Sequence, residues 1–261
     1  LKGAIKINRL TEIVRQEDTN PIRELLDILR IDIKNRSYNF LSYICNHRKD
    51  VVNGKGYIVV GNAEFKQLIN RGFVDKDFEK DVDLYRLVAY TNKAVTGWNN
   101  HIRNVTIKNA DRSILNNNDL IMSYTTIVDE FNDIIINNSE DYIIRDILNF
   151  VDQDYGFKGF MVKFQAIHGG GITKPLFVID HRDAYTFNTY CQELNYLVET
   201  AKAAQSYDRS SKWKKYFEFK RKYLLLYDVR DTLGRIMFTR DIDYGFALTS
   251  HKAQGSTYNN V

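Results

Sequence analysis

The chain has 261 residues, 44% of them hydrophobic and 27% charged, with a formal net charge of +4; that is ordinary for a globular protein of one large domain or two modest ones. No stretch approaches 18 uninterrupted apolar residues, which excludes a transmembrane helix, and LKGAIKINRL at the N-terminus lacks the apolar run of a secretory signal. Cys45 and Cys191 are too far apart in sequence to form a metal knuckle by themselves, so a reduced, cytoplasmic setting is expected. The mild positive charge permits a nucleic-acid partner without requiring one. There are 2 Pro and 24 Asn, against roughly 13 Pro at ordinary usage of about 5%. With abundant Ile, Lys and Tyr, this reads as an AT-rich coding sequence of phage or low-GC bacterial type, and most Asn as compositional drift.

The first third alternates strand and helix signals. Ala4–Leu10 is a short β-prone run, and Thr19-Asn20-Pro21 opens a helix whose apolar face is Ile22, Leu25, Leu26 and Leu29. Asn53-Gly54-Lys55-Gly56 is a turn before a buried strand, Tyr57–Val60. Asn62 then caps a helix facing inward through Phe65, Leu68 and Ile69. Leu87–Tyr90 is a further apolar strand, leading through Thr91-Asn92 into a helix that ends near Arg103. Repeated strand, turn and helix predicts an α/β layer with a mainly parallel sheet.

From about residue 111 the pattern becomes a run of strands, Asp119–Ile127, Tyr142–Phe150, Gly159–Ile167 and Pro175–Asp180. They predict a small antiparallel sheet or barrel. Residues 128–154 hold eight Asp or Glu and one Arg. His168, before three glycines, reads as a hairpin tip. Two helices follow, about 184–204 with a stripe of Phe187, Tyr190, Cys191, Leu194, Leu197 and Val198, and about 211–225. Within RSSKWKKYFEFKRKY (209–223) seven basic residues interleave with five aromatics. Trp213, Tyr216, Phe217 and Leu224 are expected to form a packed face beneath a solvated basic one, although DNA contact by that basic face stays open. Both cysteines are expected to be buried small hydrophobes. After Arg240 a strand, Tyr244–Leu248, restores the α/β pattern, so the middle reads as an insertion.

A strand that ends in Thr249-Ser250-His251 before a helix gathers hydroxyls and unpaired N–H groups, which suits a phosphate oxygen. By composition alone the run is an ordinary helix start. As a string, however, TSHKAQGSTYNNV (249–261) closely resembles motif V of superfamily 1 DNA helicases in the Dda- and RecD-like branch. Thr249, His251, Gln254 and Gly255 meet its Thr-x-His-x-x-Gln-Gly pattern. Leu10 to Gln16, followed by Asn20-Pro21-Ile22, resembles motif IV of the same family, a Leu-x-x-x-x-Arg-Gln string before a helix. Taken alone, Arg15 reads as a surface ion pair with Glu12 or Glu17. LVAYTNKAV (87–95) resembles the strand-to-helix segment with which the family holds a phosphate of single-stranded DNA, and a plain helix cap is the other reading of Asn92. Asn118-Asp119-Leu120-Ile121-Met122 resembles the Gly-Asp-x-Leu string that opens an inserted SH3-like barrel, with Asn118 where the family has Gly.

The resemblance implies an α/β fold: a second RecA-like domain of the P-loop NTPase type, without the P-loop itself, at 1–110 and 241–261. An SH3-like and helical module at 111–240 would interrupt it. It implies that Arg15, as the catalytic arginine, reaches the ATP γ-phosphate, a task suited to a planar guanidinium fork, with Gln16, Gln254 and Gly255 also near the nucleotide. Thr91, Asn92, Lys93, Thr249, Ser250, His251 and Lys252 would hold single-stranded DNA. The UvrD-like branch has a ribose-binding Glu two residues after the motif V glycine; Thr257 stands there, so that contact is not carried over.

No G-x-x-x-x-G-K-[ST] string occurs. ATP and Mg²⁺ would therefore be held mainly by a first RecA-like domain preceding Leu1, and motif VI would follow Val261. The chain is expected to be a helicase fragment, inactive as an ATPase alone, with that first domain, ATP and single-stranded DNA as partners and no membrane. By analogy with the branch the parent enzyme would move 5′ to 3′. A non-catalytic single-strand-binding or protein-interaction module is the alternative.

Overall fold

Asn20 and Pro21 start the first helix as the sequence predicts. The Asn20 Oδ1 accepts from the Ile22 N–H at 3.1 Å, and Pro21 occupies the cap position itself, one residue earlier than expected. The computed structural model describes residues 19–254 and 256–261, so the Ala4–Leu10 run, Arg15, Gln16 and Gly255 lie outside the described residues. The chain divides into two units, Leu1–Leu68 and Ile69–Val261.

In the first unit α1 (Ile22–Asn35) ends at Arg36, whose backbone is left-handed (φ 55°), and α2 (Asn39–Asn46) follows. The Asp32 carboxylate ties the two by accepting from the Phe40 N–H (2.7 Å), the Ser37 hydroxyl (2.6 Å) and the Asn39 amide (3.1 Å). β1 (Lys49–Val52) and β2 (Lys55–Ile58) form an antiparallel hairpin, after which α3 (Asn62–Phe73) begins. The expected buried strand 57–60 is thus corrected. Asn53 and Gly54, both at positive φ, make the two-residue turn that pins a strand to its own predecessor, and the resulting hairpin is largely exposed. Cys45 is exposed rather than buried, because α2 buries no residue fully.

The second unit continues with α4 (Lys76–Lys80), β3 (Leu87–Ala89), α5 (Asn92–Thr106), β4 (Leu120–Ser123), β5 (Ile127–Val128) and β6 (Ile134–Ile136). The long strands β7 (Asp141–Val151) and β8 (Lys158–Ala166) come next, then β9 (Leu176–Ile179), α6 (Ala184–Ala203) and α7 (Arg209–Lys222). Six short elements close it: β10 (Tyr223–Leu224), β11 (Val229–Arg230), β12 (Ile236–Phe238), β13 (Ile242–Tyr244), β14 (Ala247–Thr249) and α8 (Ser250–Ala253). The chain is mixed α/β. Its largest sheet runs β10-β9-β8-β7-β4-β13, antiparallel except for β10 on β9. Its end strands do not pair with each other, so among the described residues it is an open sheet rather than a closed barrel. Among the described residues parallel ladders are limited to β9–β10 and β3–β14, with one isolated parallel bridge between Tyr85 and Asn260, so the mainly parallel sheet expected from the first third is reduced to one short pair and that bridge.

α6 buries Tyr190 and Leu194 completely, with Phe187, Cys191, Leu197 and Val198 half-buried behind them, on the predicted stripe. α7 differs. The helix stops at Lys222, so Leu224 belongs to β10, and the residue driven into the core is Phe219, while Phe217 stays exposed. Asp183 caps α6: its Oδ1 accepts from the Thr186 N–H (3.0 Å) and hydroxyl (2.9 Å), and its Oδ2 meets the Lys158 ammonium at 2.8 Å. Those contacts hold its pKa down at about 2. A carboxyl with a depressed folded-state pKa adds stability that is present above the unfolded range near 4 and lost as pH falls through about 2. In Asp183→Asn the difference in urea midpoint from the parent should be largest at pH 5–7 and shrink below pH 4; a difference independent of pH would contradict this.

Candidate nucleic-acid interface

The apolar run Leu87–Ala89 leads through Tyr90 to Thr91, and the run Ala247-Leu248 leads directly to Thr249; each threonine can end a strand and cap a helix. In the fold the two strands lie side by side, parallel, with Leu87 opposite Ala247 and Ala89 opposite Thr249. Both therefore release their helices at the same edge. The Thr91 hydroxyl accepts from the Ala94 N–H at 3.2 Å and caps α5; the Thr249 hydroxyl accepts from the Lys252 N–H at 3.4 Å and caps α8. The expected cap, Asn92, is instead the first helical residue, since the extended backbone that a cap requires belongs to Thr91 (φ −110°, ψ 147°). The first N–H groups of each helix lack intrahelical acceptors, and the crevice outside the carboxyl ends of parallel strands is where α/β sheets bind ligands.

A buried asparagine fixes the relation of the two turns. Asn99 on α5 donates to the Tyr244 and Ala247 carbonyls (2.8 and 3.2 Å) and accepts from the Ala247 N–H (2.6 Å). It thereby clamps the bend between β13 and β14 to the helix that follows β3. Thr91, Asn92, Lys93, Ser250 and His251 are exposed, and Thr249 is half-buried. Lys93 has no ion-pair partner among the described residues.

No family model and no curated protein matches the chain.

Lys252 is placed differently from its neighbours. Its ammonium meets the Ser139 hydroxyl (2.9 Å) and the Asn138 side-chain oxygen (3.2 Å), and sits 4.4 Å from the Tyr124 ring centre. Arg240 stacks on the same ring at 4.4 Å. Burial, and then the charge of Arg240, lower the Lys252 pKa. This lysine fastens α8 to the β4 end and the 137–139 turn, and it is not an outward-facing cation. Gln254 is exposed at the C-terminal cap of α8; Gly255, Arg15 and Gln16, the other nucleotide contacts implied by the family resemblance, lie outside the described residues. Among the described residues no group of three or more His, Cys, Asp or Glu could hold a metal ion. Among the described residues no helix is long and apolar enough to cross a membrane.

One residue of this edge carried no assignment from sequence. Tyr90, between β3 and the Thr91 cap, is 92% exposed. An aromatic ring held open beside two helix starts is a platform on which a base can stack. The signal was present as an aromatic ending an apolar strand immediately before a polar turn. His168, read as a hairpin tip, lies in the β8–β9 connection with its Nε2 3.2 Å from the Asp83 carboxylate, away from these turns in sequence.

Proposed function

We propose that this chain grips single-stranded DNA as part of a superfamily 1-type helicase, an enzyme that couples ATP hydrolysis to translocation and duplex unwinding. The observation that carries the reading is the pair of threonine-capped helix starts on adjacent parallel strands. A backbone phosphate on α5 would take the free N–H groups behind Thr91, with Asn92 and Lys93 beside it. Thr249, Ser250 and His251 would receive a neighbouring phosphate, and Tyr90 would stack on the base between them. Lys252 serves this grip indirectly, by anchoring α8.

Two further features support the finer reading of a RecA-like second domain with an inserted SH3-like module (1–110, 111–240 and 241–261). β3 and β14 pair although all six strands of the largest sheet separate them in sequence, which is the topology of an insertion. Asn118, standing where the family has Gly, takes the left-handed conformation (φ 68°) that Gly would supply. ATP and Mg²⁺ chemistry would be supplied mainly by another domain of the parent enzyme.

Fluorescence anisotropy with a labelled oligothymidylate tests the grip. Binding should be salt-sensitive. Tyr90→Ala should cost about 1–3 kcal/mol of binding free energy, the worth of one base stack, and Lys93→Gln should reduce the salt slope by roughly 0.7. Affinity unchanged in both variants, with folding intact by circular dichroism, would refute the proposed interface.

A further inference from the structure

A cavity of about 760 Å³ opens at the opposite end of α5 from the two capped turns, where Val105, Thr106, Ile107 and Lys108 line it. That volume is within the ordinary range for a small-molecule site, roughly 300–1,000 Å³. Its floor is aromatic. Phe73 meets Phe78 edge-on at 5.0 Å and Phe246 at 6.2 Å, and all three are buried. Val82 and Leu120 extend the apolar surface.

The rim has the opposite chemistry. Among the described residues that line the cavity none is acidic, whereas Lys108 and Arg145 are basic. Lys108 has no ion-pair partner among the described residues. Arg145 donates only to neutral acceptors, Gln165 Oε1 at 2.6 Å and Asn118 Oδ1 at 3.4 Å.

We propose that this cavity binds a small amphipathic carboxylate. Its apolar body would lie on the phenylalanine floor. Its carboxylate would face Lys108 and Arg145. The site is separate from the proposed DNA grip and does not depend on it.

The test uses the full chain with 8-anilino-1-naphthalenesulfonate as a fluorescent probe and octanoate as competitor. The probe should bind one saturable site and be displaced by octanoate. In the Lys108→Gln/Arg145→Gln double variant, octanoate should compete about tenfold less well, while displacement by the neutral analogue 1-octanol stays unchanged. Both changes are at exposed positions, so folding should be retained. Val105→Trp, which narrows the mouth, should abolish octanoate-sensitive binding. The proposal fails if probe binding is not saturable, if Val105→Trp leaves octanoate-sensitive binding intact, or if octanoate competes equally well with the charge-neutralised variant.

Discussion

Arg103→Met is expected to destabilise the chain by about 3–5 kcal/mol, the usual consequence of stranding one partner of a buried ion pair. Arg103 leaves α5 toward Asp119 and meets it in bidentate form, Nε to Oδ1 at 2.7 Å and Nη2 to Oδ2 at 3.0 Å, with both side chains almost wholly buried. The same guanidinium donates to the Ala110 and Ser113 carbonyls (2.8 and 3.0 Å) and lies 4.8 Å from the Tyr244 ring centre. It therefore fixes the loop that carries the chain from α5 into β4. In Arg103→Met the Asp119 carboxylate would keep only the Asn116 N–H (2.7 Å), and two carbonyls would lose their donor. Against a typical total stability of about 5–15 kcal/mol, such a loss is severe. Arg103→Met/Asp119→Leu should recover most of it, because the cost arises from an unpaired charge more than from a lost attraction. Urea melts of the two single variants and the double variant measure the coupling. A loss below about 1 kcal/mol in Arg103→Met would mean that water reaches Asp119.

Local signals were the legible part of this fold. The helices α5 and α6, the strands β7, β8 and β9, and the strand-to-helix passage at Thr249 follow from apolar periodicity and capping residues that act within a few positions of one another. Pairing was harder to read, because a short apolar run looks the same in a parallel sheet, an antiparallel sheet or a hairpin. Tyr57–Val60 was expected in a buried sheet, and its Asn-Gly turn instead folded it onto Lys49–Val52. Compositional bias hid information as well. Of the non-glycine residues described at positive φ, Asn53, Asn109, Asn118 and Asn132 are asparagines, the residue type that tolerates the left-handed region best after glycine. Asn99 clamps two strands. These asparagines have structural work that a reading of the composition as drift missed.

At the candidate site, residue types were legible and their orientations were not. Thr91 and Thr249 could be placed at strand ends from sequence, since a hydroxyl after an apolar run before a helix has one ready use. That the two turns lie together depends on β3 pairing with a strand far along the chain, which no local pattern encodes. The inward turn of Lys252 has the same origin. Its partners Ser139, Asn138 and Tyr124 come from a segment inserted between the two strands, and only the tertiary fold brings them to α8.

The second large effect is expected at Arg86, which unites the fold with the proposed DNA edge. Its side chain is fully buried immediately before β3. The Nη2 meets Asp141 Oδ2 at 2.7 Å, Nη1 donates to the Gly245 carbonyl, and the guanidinium carbon lies 4.6 Å from the Tyr258 ring centre. One group thus joins the start of β3, the start of β7 and the bend between β13 and β14. Arg86→Met would leave Asp141, whose pKa is already raised by burial, without its counter-charge, again at a cost of about 3–5 kcal/mol. Arg86→Lys keeps the charge but cannot supply the planar fork, and it should restore less than half of the loss. Because β3 and β14 both take their position from this contact, oligothymidylate affinity should fall together with stability, even at temperatures where Arg86→Met remains folded. A variant that melts early yet binds DNA at the parental affinity while folded would show that the two turns keep their geometry without Arg86. In that case Asn99 alone would hold the edge, and Asn99→Ala would be the substitution that separates grip from stability.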